Sequence, residues 1–235
     1  MAISVGSSSS SSSSSTGSLV WSHTTVAGTD MLVVTAGTGT SGPASGRTVT
    51  AVSFGAQSLT EVPSSAGDDG NFCRSAIWYL IAPNITTADI TVTIGTSSQV
   101  AAGATNFSGV HQTVPFGTAA VNGGSSTTAS VAVTAGSGEV TVGAIGSDSG
   151  SGITPTGTQL WEVENVNGDT SHAGQYYTTT NPTVQWGQAE DTGWAVSGVA
   201  MKAAAGGGGR VTKNTRAWPL GMAIGMYRGE NGHCS

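Results

Sequence analysis

Apolar and polar residues alternate with a period of two along most of this chain, as in Ile90-Thr-Val-Thr-Ile94 and Gly138-Glu-Val-Thr-Val142, and helical periodicity is nearly absent. The pattern predicts strands at 18–25, 30–36, 47–54, 57–62, 72–82, 89–94, 100–108, 128–134, 138–146, 157–164, 172–179, 182–187 and 193–202. The runs are short, rich in β-branched residues and separated by Gly, Ser, Asn, Asp or Pro clusters. That spacing belongs to an all-β, antiparallel β-sandwich of jelly-roll type, not to βαβ units.

A weak internal repeat refines the picture. Asp30-Met-Leu-Val-Val34, Val52 to Val62, Arg74 to Tyr79, Ile90 to Ile94 and Ala101 to Gly109 are answered, in the same order, by five later runs. These are Gly138 to Val142, Ile153 to Val163, Ser171 to Tyr176, Pro182-Thr-Val-Gln-Trp186 and Trp194 to Ala200. Two similar halves sharing one core are expected, in a single body from about 17 to 203.

Both ends differ from that body. Residues 1–16 are Ser-rich, with serine at every position from Ser7 to Ser15. Such a run is either a flexible leader or a strand held along a sheet edge, since serines supply backbone groups but no hydrophobic drive. Residues 204–235 begin with the hinge Gly206-Gly-Gly-Gly209 and continue into Arg216 to Tyr227, basic at its margins and apolar in its middle. Trp218, Leu220, Met222, Ile224, Met226 and Tyr227 would form a patch that soluble monomers cover. This arm is expected to dock into another subunit, with folding back on the sandwich as the alternative.

Only 9% of residues are charged, so the polar surface consists largely of hydroxyl groups and glycine. Residues 1–200 hold twelve of the thirteen acids but only two cations, Arg47 and Arg74. A body this acidic lacks the basic stripe that phosphate backbones require, which argues against a nucleic-acid partner. The opening MAISVG lacks the charged and apolar regions of a secretory signal, so a chain complete from Met1, without an encoded export route, is expected. No stretch approaches the roughly 20 apolar residues of a membrane span. Cys73 lies in an apolar run and reads as a small core residue, not as part of a disulfide framework.

Candidate chemistry is thin. Gly37-Thr-Gly-Thr-Ser-Gly42 has dinucleotide-binding spacing, but Pro43, Ser45 and Gly46 follow where a helix must begin, so a hairpin loop is expected. His23, His111, His172 and His233 show no metal-ligand spacing. Asp68-Asp69-Gly70-Asn71 reads as a solvated turn because it lacks the spaced acids of a calcium loop. Glu61, Glu162, Glu164, Glu190 and Asp191 supply carboxylates at strand ends and turns, where exposed acids are ordinary. No catalytic set, cofactor site or metal site is expected. Trp21, Trp78, Trp161, Trp186 and Trp194 fall within alternating strands and are expected in the core, the alternative being a sugar-stacking platform. Asn84-Ile-Thr86 and Asn106-Phe-Ser108 are formal glycosylation sequons of little weight.

Leu19-Val-Trp-Ser-His23, Leu32-Val-Val34, Val52 to Thr60, Ile77-Trp-Tyr-Leu-Ile-Ala-Pro83, Phe107 to Gln112 with Pro115-Phe-Gly117, and Trp194 to Met201 together carry a resemblance. The chain from about 17 to 203 resembles a β-sandwich module found in virion proteins of tailed bacteriophages and in bacterial surface proteins. The resemblance implies a non-enzymatic structural role. With two ends suited to docking, the expectation is a virion decoration or fibre protein, or a self-assembling filament subunit, whose partners are copies of itself or other subunits. The alternative is a carbohydrate-binding or adhesin module on a cell surface, with surface glycans as partners.

Overall fold

The structure is a computed structural model and describes residues 1–39 and 46–204. Among these residues it is all-β, with fourteen strands. These are β1 (Ser4–Thr24), β2 (Met31–Gly39), β3 (Val49–Phe54), β4 (Gln57–Ser58), β5 (Thr60–Glu61), β6 (Gly67–Asp68) and β7 (Arg74–Ile81), followed by β8 (Thr87–Ser108), β9 (Ala120–Ala132), β10 (Val140–Ser147), β11 (Ile153–Pro155), β12 (Thr158–Val166), β13 (Thr170–Tyr177) and β14 (Thr183–Met201). All pairings are antiparallel. One sheet has the order β4-β3-β8-β2-β7-β5, with β1 also on β8 and β6 on β7. The other has the order β11-β14-β10-β13-β12, with β9 also on β14.

The two halves repeat the same connections. In each, a long strand (β8 or β14) pairs along its length with an earlier edge strand (β1 or β9). The same strand also pairs with a central strand (β2 or β10) and with a short one (β3 or β11). The central strand then pairs with β7 or β13. The repeat read in the sequence therefore corresponds to topology, since its five paired runs fall on these equivalent strands.

Each long ribbon folds over on itself. Ser9 and His23 lie on the same strand and hydrogen-bond at 2.7 Å, although 14 residues of straight strand would part them by about 46 Å. The fold-over falls where β1 and β8 lose register, between Ser13 and Ser18. In β14 the ladder shifts between Gly187 and Thr192, and the Val184 side chain returns to within van der Waals reach of Gly198. The sequence pattern predicts breaks at 95–99 and 188–192, but the strands run through both as bends. At the first, Ser98 and Gln99 keep ladder partners in Thr16 and Gly39, so the Gly/Ser-rich stretch turns the strand without ending it. In the same way β9 begins at Ala120, eight residues before the alternation predicts, because Gly123 to Ser126 pair with β14 despite their turn-like composition.

Two folded sheets, stacked, enclose three apolar cores. The first lies inside the first sheet, around Leu32, Val34, Phe54, Ile90 and Val92. The second lies between the sheets, where Met31, Val33, Ile77 and Phe107 meet Val140, Val142, Val199 and Met201. The third lies inside the second sheet, around Ile145, Val184, Trp186, Trp194 and Val196. Strands β2 and β10 therefore have both faces covered, and every residue of each is buried. This explains why β2, and β10 from Val142 to Ile145, read as runs of apolar and small residues and not as alternations.

Away from its apolar end, the seam between the sheets is built from small and polar residues. A Cβ on Gly37 would lie 2.5 Å from His172 Nδ1, and one on Gly174 2.5 Å from Trp161 Nε1. A Cβ on Gly103 would fall within the Trp161 ring. Across this close approach, Trp161 Nε1 donates to Thr35 Oγ1 at 2.7 Å, and the Ser75 and Ser197 hydroxyls meet at 2.6 Å. Full burial of a large apolar side chain is worth about 1.5–3 kcal/mol, against about 1 kcal/mol for a net hydrogen bond. The apolar end therefore supplies most of the drive for stacking, and the glycine end fixes the spacing.

Candidate functional site

The serine run is the N-terminal part of β1. It pairs with β8 of its own chain, from Ser4 opposite Ser108 to Ser13 opposite Val100. Ser9, Ser11 and Ser13 are half-buried, whereas Ser10 and Ser12 are exposed. Trp21 Nε1 donates to Ser9 Oγ at 3.0 Å, and Ser9 is bonded in turn to His23 Nδ1. His23 Nε2 meets Asn106 Oδ1 at 3.1 Å, while Asn106 Nδ2 donates to Ser7 Oγ at 3.0 Å and to the Thr24 carbonyl at 2.9 Å. A carbonyl only accepts, so the amide orientation of Asn106 is fixed and its oxygen must accept from His23 Nε2. In the neutral ring Nδ1 then accepts from the Ser9 hydroxyl. Burial lowers the His23 pKa, partly offset by the Asn106 bond. Asn106 is a buried structural residue in this network, not an exposed sequon.

The other candidates are dispersed. His172 is fully buried in the seam, and burial lowers its pKa to about 3. Its Nε2 donates to Thr170 Oγ1 at 3.1 Å, Thr170 donates to Gln99 Oε1 at 2.9 Å, and Gln99 Nε2 donates to Asp169 Oδ2 at 3.1 Å. His111 lies elsewhere, accepting the Thr113 and Val114 amides at Nδ1. Among the described residues no group of three metal-ligating side chains comes together. Gly37, Thr38 and Gly39 of the glycine string lie within β2, with Gly37 and Gly39 against His172 and Thr170, and residues 40–42 of the string lie outside the described residues.

The acidic turn turns inward on its own backbone. Asp69 Oδ1 accepts the Asn71, Phe72 and Cys73 amides at 2.8, 2.8 and 2.9 Å, and Asp68 pairs with Arg74 at 2.8 Å. Cys73 is buried beneath it, and burial pushes its thiol well up. Asp148, Asp169 and Glu190 line a hollow of about 350 Å³ nearby. Partial burial, then the charges of Asp169 and Asp69, raise the Asp148 pKa. Glu162, on the edge strand β12, is raised to about 7, by partial burial first and then by a hydrogen bond with Glu164 and its charge. Glu190 and Asp191 accept from Ser151 at 2.6 Å and from Ser125 at 3.2 Å, and burial raises the Glu61 pKa.

Trp78, Trp186 and Trp194 are buried and Trp21 is half-buried against the apolar cores, as the alternation predicts, whereas Trp161 is buried in the glycine-lined seam between the sheets. The arm residues Trp218, Leu220, Met222, Ile224, Met226 and Tyr227, together with His233, lie outside the described residues.

Two surface features stand out, of which the sequence offered only the serine edge strand, as one of two readings. One is the pair of long edge strands. Among the described residues β1 spans 21 residues and pairs only with β8, and β9 spans 13 residues and pairs only with β14. Neither carries Lys, Arg, Asp, Glu or Pro. The other is a groove of about 400 Å³ walled by Pro63, Tyr79, Val114, Pro115, Phe116 and Ala119. In it the Tyr79 and Phe116 rings pack edge-on with centroids 4.9 Å apart. The loop that forms this groove clasps the end of β14: Gly117 N donates to the Ala200 carbonyl at 2.9 Å and Lys202 N to the Pro115 carbonyl at 2.8 Å.

No family model matches the chain, no curated protein matches it, and no solved structure matches it.

Proposed function

We propose that this chain is a non-enzymatic structural subunit that assembles with copies of itself or with other subunits, as a virion decoration or fibre protein or a filament subunit does. One observation carries the reading. The outer edges of both long ribbons are uncharged strands, 21 and 13 residues long, and such edges pair readily with other strands. Proteins that stay monomeric usually guard an edge with lysines, prolines, bulges or a covering loop. The bulges in β1 lie between Val5 and Ser8 and at the fold-over, leaving the ladder from Ser8 to Ser13 regular. In this reading the anchors Trp218 and Tyr227 of the arm add apolar contact area to the assembly. The hydroxyl-rich surface, with 9% charged residues, suits a body displayed outward whose contacts lie at its rims.

The test is the solution mass of full-length protein by light scattering, beside the Ser10→Lys/Ser12→Lys variant. Both serines are exposed, so the lysines add charge to the rim without entering a core. The wild type is expected to form a defined oligomer or filament, and the variant a monomer with an unchanged denaturation midpoint. A wild type that remains monomeric at high concentration, or a variant that assembles as the wild type does, overturns edge pairing.

A further inference from the structure

The apolar groove beside the end of β14 has a physical need for an occupant, and the chain supplies one. Val114 on its wall is 54% exposed, and the Tyr79 and Phe116 rings form its floor. The described chain passes along the groove wall and ends two residues beyond it, at Ala204. Lys202 is hydrogen-bonded to Pro115 on the wall, and Ala204 N donates to the Gly109 carbonyl at 2.7 Å. Thirty-one residues follow Ala204, including the apolar run from Trp218 to Tyr227. The fourteen residues from Ala204 to Trp218 span up to about 46 Å when extended, so the run reaches the groove easily.

Net charge favours contact between the arm and its own body, while the groove lining itself is uncharged and suits the apolar run. Residues 1–204 carry three cations against twelve acids, a net charge of −9, whereas residues 205–235 carry four cations against one acid, a net charge of +3. An acidic body and a basic arm joined by a short tether meet at an effective concentration in the millimolar range, well above that of a second copy in dilute solution.

We infer that in the free subunit the segment from Arg216 to Tyr227 seats in the Tyr79–Phe116 groove of its own chain, covering the groove and its own apolar residues together. The inference goes beyond the assembly reading and holds whether or not the sheet edges pair. It gives the arm a resting place from which assembly contacts would have to draw it.

A photo-reactive benzoylphenylalanine in place of Thr118, exposed at the groove's rim, tests this in the full-length chain. Protein labelled with light nitrogen is mixed with protein labelled with heavy nitrogen, irradiated, and digested for mass spectrometry. The same experiment is run on the Ser10→Lys/Ser12→Lys background, so that edge-mediated contacts are absent and failure of the assembly reading is scored separately. Cross-links from position 118 to peptides within 216–227 are expected, each carrying a single isotope. Their yield should fall about tenfold when Trp218, Leu220 and Ile224 are replaced by serine, because a few buried anchors hold such contacts. Mixed-isotope cross-links would assign the groove to a second copy and overturn the inference. Absence of cross-links to the arm, or a yield unchanged by the serine replacements, overturns it equally.

Discussion

Gly103→Ala is the most direct probe of how the two sheets stack. Gly103 lies on β8 facing the seam, and a methyl group there would overlap Cγ, Cδ1 and Nε1 of Trp161 on β12. The ring cannot retreat freely, because Trp161 is 5% exposed and its Nε1 is bonded to Thr35 Oγ1 at 2.7 Å. A Cβ on Gly174 would also lie 2.5 Å from the same nitrogen, so that route is closed. Overpacking of a closed site costs about 1–3 kcal/mol, and an indole N–H left buried without its partner costs about 1–3 kcal/mol more. A loss of about 2–6 kcal/mol is expected, a large part of the roughly 5–15 kcal/mol that holds a domain together. Urea denaturation followed by tryptophan fluorescence measures it. Trp161→Phe in the same chain should relieve part of the clash, so the double variant should be at least about 1 kcal/mol more stable than additivity predicts. A Gly103→Ala protein within about 0.5 kcal/mol of wild type, or strict additivity in the cycle, would show that the seam is not packed in this way.

Two further outcomes follow from the buried imidazoles. His172 titrates near 3 in the folded chain because burial disfavours its charge, whereas an unfolded histidine titrates near 6.5. Between these values the unfolded state binds the extra proton, so stability should fall with decreasing pH by at most about 1.4 kcal/mol per pH unit. Glu162, raised to about 7, binds its proton in the folded state and acts in the opposite sense above the ordinary carboxylate range. Glu162→Gln should therefore steepen the loss between about pH 6.5 and 4.5, as read from denaturation midpoints across pH, and an unchanged profile would remove Glu162 from the account. Ser9→Ala leaves Trp21 Nε1 and His23 Nδ1 without their shared partner. It should cost about 1–2 kcal/mol, and with serines on either side it should let β1 slip by two residues, seen as a second set of amide resonances from Ser4 to Ser13. A single set at wild-type stability would mean that the register is fixed elsewhere.

The strands and their duplication were legible because alternation and β-branching report a covered face, and the five matched runs fall on equivalent strands of the two halves. The Trp positions were legible for the same reason. What escaped was wherever pairing is driven by something other than side-chain hydrophobicity. The serine stretch of β1, left open between an edge strand and a flexible leader, and the Gly123 to Ser126 stretch of β9, with its turn-like sequence, are both held by ladders to a long, well-specified neighbour. The predicted breaks at 95–99 and 188–192 are the fold-over points, where polar clusters bend a paired strand. The groove was invisible because it joins Tyr79 to residues 113–119 through the end of β14, a contact with no local signature.

A strand of serines also shows how little side-chain hydrophobicity an edge needs once its neighbour is fixed. From Ser8 to Ser13 nothing in β1 is apolar, so its place rests on backbone bonds to β8 and on the polar network that runs from Trp21 through Ser9, His23 and Asn106 to Ser7. That network ties the first layer of the folded ribbon to the second, so it fixes the fold-over and the register together. A hydrophobic edge strand in the same place would gain burial but present an adhesive outer face to any apolar surface. With serines, the rim offers only directional backbone groups. In the assembly proposed above, such a rim would favour a partner that is itself an extended strand, as the equivalent, equally uncharged β9 edge of a second copy is.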